Sequence, residues 1–177
     1  MELWRDIGLE RIFVGFEFFK EDDLTYVHKE STLEDNENAV KILKDLGIEI
    51  IASFLVRPEF TKEDFRECAR YCRKLELFPV LFSTLTPLPG TDLYAEVKSR
   101  LITGNYDHFD LAHTVMPTTL PLKEFYREYY KLHQRVGSAK GALAFYKKYP
   151  FREIPNALQK VYKNYLLKLK NAYKDYS

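Results

Sequence analysis

Three apolar runs constrain this chain more than any other feature: RIFVGF at Arg11–Phe16, IEIIASFLV at Ile48–Val56 and FPVLFSTL at Phe78–Leu85. Each reads as a buried strand, and the second is apolar on both faces, as a parallel sheet covered by helices requires. Helical patterns separate them. Thr32 with Asp35 predicts a capping box that opens a helix with Leu33, Ala39, Val40, Leu43 and Leu46 on its apolar side, and Gly47 ends it. Thr61 with Asp64 opens a second helix, which carries Phe65, Cys68, Ala69, Cys72 and Leu75 at spacings of three and four. Strands alternating with helices at about 30-residue intervals imply βαβ units and a parallel sheet.

Ahead of the first strand, Leu3–Leu9 reads as the end of a helix that stops near Gly8. Three strands are too few to close a barrel of the usual eight, so two folds compete: a small three-stranded α/β domain, or a truncated βα barrel. The leading helix favours the barrel, because a first helix normally follows a strand that it can cover. Beyond Gly90 the pattern turns helical: a short helix from Thr91 or Asp92 to about Ser99, one opened by Pro121, and two more over Ser138–Tyr149 and Pro155–Tyr173. The expected fold is α/β, with a partial barrel of about three parallel strands over 1–100 and a helical extension over 101–177.

A chain of 177 residues, 46% hydrophobic and 15% aromatic, buries one substantial core with a helical appendage. A formal net charge of +1 gives no electrostatic case for nucleic acid. From Ser138 onward, nine basic residues face two acids, a local +7 that leaves −6 on the first 137 residues. The last helical segment sets Tyr162, Tyr165, Leu166, Leu169 and Tyr173 on one face among lysines. That face either packs on the fold or lies on an anionic membrane. The first residues lack the pattern of a signal peptide, and no apolar run reaches the length of a membrane span. The expected location is cytoplasmic, with peripheral contact at the inner membrane surface.

In βα folds, function collects at the C-terminal ends of the strands. Glu17 follows the first strand directly, where a carboxylate accepts hydrogen bonds from a ligand or stands as an ordinary charge at a strand end. Arg57, after the second strand, either forks onto a carboxylate or phosphate or pairs with Glu17. TPLPGT, from Thr86 to Thr91, is a rigid turn able to leave backbone groups free for a flat or polar ligand, and it reads equally as a plain turn. His28, His108, His113 and His133 have neither the spacing nor the carboxylate partners of a metal or nucleophile site. Cys68 and Cys72 share one helical face and are read as core rather than as metal ligands.

GLERIFVGFEFF, Lys29, LKDLGIEIIASFLVRPEFTKEDF and LTPLPGTDLY together resemble the second half of radical S-adenosylmethionine enzymes of the cobalamin-dependent group. The continuation YDHFDLAHTVMPTTLPLKEFYREYYKLH is similar to the hopanoid C-3 methylases, and the resemblance runs from Leu3 to Arg135. It implies a partial (β/α)6 barrel of which this chain supplies strands four, five and six. It also implies that Glu17 lies near the ribose or methionine end of S-adenosylmethionine, that Ala52–Arg57 borders the adenine, and that Thr86, Pro87, Gly90 and Thr91 lend backbone to the same pocket. Most members carry glycine where Arg57 stands.

Family members also bind a 4Fe-4S cluster through C-x-x-x-C-x-x-C, and a cobalamin domain precedes the barrel. Neither feature occurs in this sequence: Cys68 and Cys72 match the first gap, but Leu75 stands where the third cysteine belongs. The expectation is therefore a fragment or split half of a radical methyltransferase acting on a hopanoid or other polycyclic lipid, inactive alone. It would be completed by a missing N-terminal half, or would self-associate through an exposed strand edge. The alternative is a non-catalytic interaction or membrane-surface module.

Overall fold

The computed structural model describes residues 1–20, 32–136, 147 and 156–176. Lys29, His28 and all but one residue of the helix expected over Ser138–Tyr149 lie outside the described residues. The elements run α1 (Glu2–Asp6), β1 (Arg11–Glu17), α2 (Leu33–Asp45), β2 (Glu49–Val56), α3 (Lys62–Lys74), β3 (Val80–Thr84), α4 (Asp92–Val97), α5 (Leu122–Arg135) and α6 (Asn156–Asn171). The strands form one sheet in the order β1-β2-β3. β1 and β2 are parallel, with Arg11 opposite Glu49 and Gly15 opposite Ser53. This is the α/β architecture of a partial barrel.

Local chemistry sets the helix ends. The Thr32 hydroxyl accepts from the Asp35 amide at 3.1 Å, while the Asp35 carboxylate accepts from the Thr32 amide at 2.9 Å. Thr61 and Asp64 repeat the exchange at 3.3 and 2.7 Å. Each box satisfies two amides that the first turn leaves orphaned and contributes about 1 kcal/mol. Gly47 ends the α2 turn at φ +71°, where a β-carbon would be strained.

By contact density the chain groups into two compact units. The first holds Met1–Phe54, Glu67–Phe82 and Val136–Lys148, and the second Leu55–Arg66, Ser83–Arg135 and Tyr149–Ser177. In the first unit the Phe16 and Phe54 rings stack at 5.6 Å, with Phe82 and the edge of Tyr71 against Phe54. Phe16, Phe54, Cys68, Ala69 and Cys72 are fully buried there. Burying a large apolar side chain stabilises by roughly 1.5–3 kcal/mol, so this cluster anchors β1 and β2 to α3. The two cysteines are core, as the helical spacing implied, and burial pushes the Cys68 thiol up.

Burial alternates along β2, with Ile50, Ala52, Phe54 and Val56 covered and the residues between them only half-buried. Both faces were expected to be covered, yet in the first unit the side away from Phe54 leaves Phe13 60% and Leu81 50% exposed. Among the described residues, α3 packs on the Phe54 side, through the edge of the Tyr71 ring, and alternate side chains of a strand point to the opposite face.

In the second unit Phe60, Phe65 and Phe125 pack edge to face at 5.4 and 5.5 Å. α5 adds buried Tyr126, Tyr129 and Leu132, and α6 packs on α5 through Leu169 and Ala172 of the following turn. Of the face expected on α6, Leu169 is buried, Tyr165, Leu166 and Tyr173 are half-buried and Tyr162 is exposed. Among the described residues, no helix is long and apolar enough to cross a membrane.

Candidate functional site

The end of β1 is unusual in its backbone. The register with β2 slips between Gly15 and Glu17, so Phe16 and Glu17 together oppose Phe54. Glu17 takes φ +66°, and the Phe18 amide donates to the Phe16 carbonyl at 2.8 Å. That is a γ-turn of the φ-positive kind, rare for a residue with a β-carbon and worth about 1–2 kcal/mol of strain. Phe16 and Phe18 on either side are fully buried, and their burial offsets the strain. The turn directs the Glu17 side chain back along the strand, so its carboxylate occupies the space that a β-carbon on Gly15 would need. Strained backbone held in place by its surroundings is characteristic of functional positions.

The remaining sequence-predicted residues fall in the second unit, whereas Glu17 belongs to the first. The Leu85 amide donates to the Val56 carbonyl at 2.9 Å, which sets Arg57 and Thr86 at neighbouring strand ends. Arg57 is half-buried, and its Nε lies 3.2 Å from a Glu59 carboxylate oxygen, so its fork is oriented by the adjacent acid. Leu88–Thr91 closes as a turn, the Thr91 amide donating to the Leu88 carbonyl at 3.1 Å, with Pro89 second and Gly90 at φ +93° third. The Thr91 hydroxyl donates to Leu88 O at 2.7 Å and accepts the Tyr94 amide as the cap of α4, while the Thr86 hydroxyl donates to Thr84 O. Both hydroxyls thus hold the loop, and backbone is what TPLPGT offers a ligand. Pro87 is buried beneath it, and Leu88–Gly90 are exposed.

One constellation escaped the sequence reading. Considered only as members of a metal or nucleophile site, the histidines gave no sign of the two carboxylate neighbours of His113: Nδ1 lies 3.0 Å from Asp110 and Nε2 lies 3.1 Å from Asp175. The His108 ring stacks on it at 4.8 Å. The Asp110-x-x-His113 spacing was readable as a local pair. Asp175, 62 residues further on, was not. Burial alone would raise the Asp110 carboxyl, but the amides of His113 and Ala112 and the His113 ring outweigh it and hold the group below its usual range. Beside it, the Tyr176 hydroxyl donates to Thr114 O at 2.6 Å and meets the Tyr126 hydroxyl at 2.5 Å, and burial raises Tyr126 to about 12. A cavity of about 530 Å³, lined by Asp110, His113, Tyr165, Lys168 and Asp175, opens next to the pair.

Fit to metal and cofactor can be judged from these donors. Cys68 and Cys72 are buried among apolar side chains, and among the described residues no three His, Cys, Asp or Glu side chains converge to hold a metal. These residues do not fit an iron–sulfur cluster. The Glu17 carboxylate, taken by itself, is an acceptor for hydroxyl and amino groups.

No family model matches the chain. Among characterised proteins it is 33% identical over 133 residues to the hopanoid C-3 methylase of Methylococcus capsulatus, a match covering 75% of this chain and 26% of that protein. It is 31% identical over 117 residues to the bacteriochlorophyllide d C-8(2)-methyltransferase of Chlorobaculum tepidum, covering 63% of this chain and 26% of that one. The anaerobic magnesium-protoporphyrin IX monomethyl ester cyclase of Rubrivivax gelatinosus is 29% identical over 117 residues, covering 66% and 21%. The chain thus spans about a quarter of the length of the curated relatives that it matches.

Proposed function

Because the chain belongs to the cobalamin-type radical S-adenosylmethionine proteins, we propose that it supplies the S-adenosylmethionine-binding wall of a methyltransferase barrel acting on a hopanoid or a similar polycyclic lipid. The observation that carries this reading is the strained γ-turn at Glu17, with its carboxylate laid across Gly15. Anionic and acceptor-only, the Glu17 carboxylate would receive hydrogen bonds from the ribose hydroxyls or the amino group of the ligand. The family resemblance gives Ala52–Arg57 the border of the adenine. The same resemblance gives the backbone of Thr86–Thr91 a ligand contact of its own. S-adenosylmethionine, when bound beside a reduced cluster, supplies the radical and methyl chemistry of this family.

The residues present do not fit that cluster, so the reaction requires a cluster-bearing and cobalamin-bearing segment in addition to this chain. The side of the sheet carrying Phe13, Ile51 and Leu81 suits an apolar polycyclic substrate, and the similarity to the hopanoid methylase points the same way. A lipid substrate would place the protein at the cytoplasmic surface of the membrane, where Lys160, Lys163 and Lys170 of α6 are exposed to anionic headgroups.

Equilibrium dialysis of S-adenosylmethionine against the chain and Glu17→Gln tests the reading. A hydrogen bond to a charged group is worth about 1.5–3 kcal/mol, so the variant should bind on the order of 10- to 100-fold more weakly. Equal binding would remove Glu17 from the site.

A further inference from the structure

The His113 ring is fixed from two directions. One oxygen of Asp110 accepts from the Ala112 and His113 amides at 2.9 and 2.8 Å, and the other faces His113 Nδ1 at 3.0 Å. His108 lies almost parallel to the ring, 13° off, at 4.8 Å. In an imidazole, the hydrogen bond made by one nitrogen decides what the other can do. The amides keep Asp110 ionised, so the neutral ring carries its proton on Nδ1 and turns a bare lone pair on Nε2 toward the Asp175 carboxylate, 3.1 Å away. Two acceptors then face each other, and only a shared donor reconciles them. A second proton on the ring is one such donor.

The cavity beside the pair has room for another. Its volume of about 530 Å³ lies within the roughly 300–1,000 Å³ of small-molecule sites, and Tyr165 and Leu169 give it apolar walls. Lys168 of α6 lines the same cavity, and among the described residues no carboxylate pairs with it. Acceptors from His113 and Asp175 and an uncommitted ammonium from Lys168 thus share one space, which is the complement of a ligand carrying both charges. A divalent cation fits less well, since among the described residues no three metal-ligating side chains converge and Lys168 would repel it. We propose that this cavity binds a small zwitterion, a primary ammonium joined by a short linker to a carboxylate or phosphate. The ammonium, with three N–H donors, is shared between His113 Nε2 and Asp175, and Lys168 receives the anionic end. Every residue involved belongs to the second unit, so the site is independent of the Glu17 reading.

The probes are β-alanine and O-phosphoethanolamine, titrated into the ¹⁵N-labelled chain at neutral pH, with methylammonium and inorganic phosphate as half-ligand controls. At least one zwitterion should shift the amides of Asp110–Thr114 and of residues 165–175 saturably at millimolar concentration, and the tighter of the two identifies the anionic group. Each half alone should bind at least tenfold more weakly. Asp175→Asn and Lys168→Ala should each cost about tenfold in affinity, as expected for the loss of one charge-assisted hydrogen bond. Lys163→Ala, a change at an exposed position of α6 outside the cavity, should not. Unchanged amide positions elsewhere in each variant show that it has folded. No saturable shift with either zwitterion overturns the proposal, because a proton alone then bridges His113 and Asp175. So does inorganic phosphate binding as tightly as O-phosphoethanolamine, or binding indifferent to both Asp175→Asn and Lys168→Ala.

Discussion

The Glu17 carboxylate lies where a β-carbon on Gly15 would stand, so the two residues form one unit: the glycine exists to let the acid fold back along its own strand. A γ-turn at Glu17, pinned by buried Phe16 and Phe18, keeps it there.

Gly15→Ala should therefore act through Glu17. The obstructing atom is the far end of a flexible side chain, so the carboxylate swings away and the fold loses less than about 1 kcal/mol. Affinity for S-adenosylmethionine should fall to the level of Glu17→Gln. Combining the two changes should add little, because coupled neighbours are not additive. Independent, multiplying losses would show that Gly15 matters for some other reason.

Glu17→Gly separates stability from function at one position. Glycine takes φ +66° without the roughly 1–2 kcal/mol cost of a β-carbon, offset in part by its greater freedom when unfolded. Chemical denaturation should show a gain of about 0.5–1 kcal/mol together with lost ligand binding. A destabilised variant would mean that the turn carries no strain.

Asp175→Asn removes one of the two carboxylates at His113 and leaves Tyr176 on Thr114 O. Hydrogen exchange should speed up at residues 172–176 and around Asp110–Thr114, with the amides of β1–β3 unchanged. Exchange identical to wild type would make the contact an incidental surface ion pair, as many are.

His133 sits between the Tyr129 and Tyr165 rings, and burial lowers it from 6.5 to about 4. The folded state keeps it neutral while the unfolded state takes up a proton below 6.5. Stability is thus fully present above pH 6.5 and is lost as pH falls toward 4, by up to about 3 kcal/mol. Asp110 and Glu128, both held below their usual values, lose their contributions at still lower pH. Denaturant midpoints between pH 7 and 4.5 should fall for the wild type and stay flatter for His133→Phe. Parallel slopes would assign the acid sensitivity elsewhere.

Sequence pattern carried most of the framework. Period and capping chemistry are local, so RIFVGF, both Thr–Asp boxes and the Phe65–Leu75 stripe could be read directly and reappear as β1, α2 and α3. Glu17 was legible as an acid at a strand end, but its γ-turn was not, since nothing in G-F-E marks a positive φ on the glutamate. The open face at Phe13 and Leu81 was missed because an apolar run looks the same whether helices cover one side or both. Asp175 could not be matched to His113, because contacts across 62 residues leave no periodic trace.

The most direct test of the central claim is a ¹H–¹⁵N correlation map of the labelled chain titrated with S-adenosylmethionine. The account predicts shifts concentrated at Gly15–Phe19, and their loss in Glu17→Gln. No shifts at millimolar ligand, or shifts confined to the cavity beside His113, would contradict it.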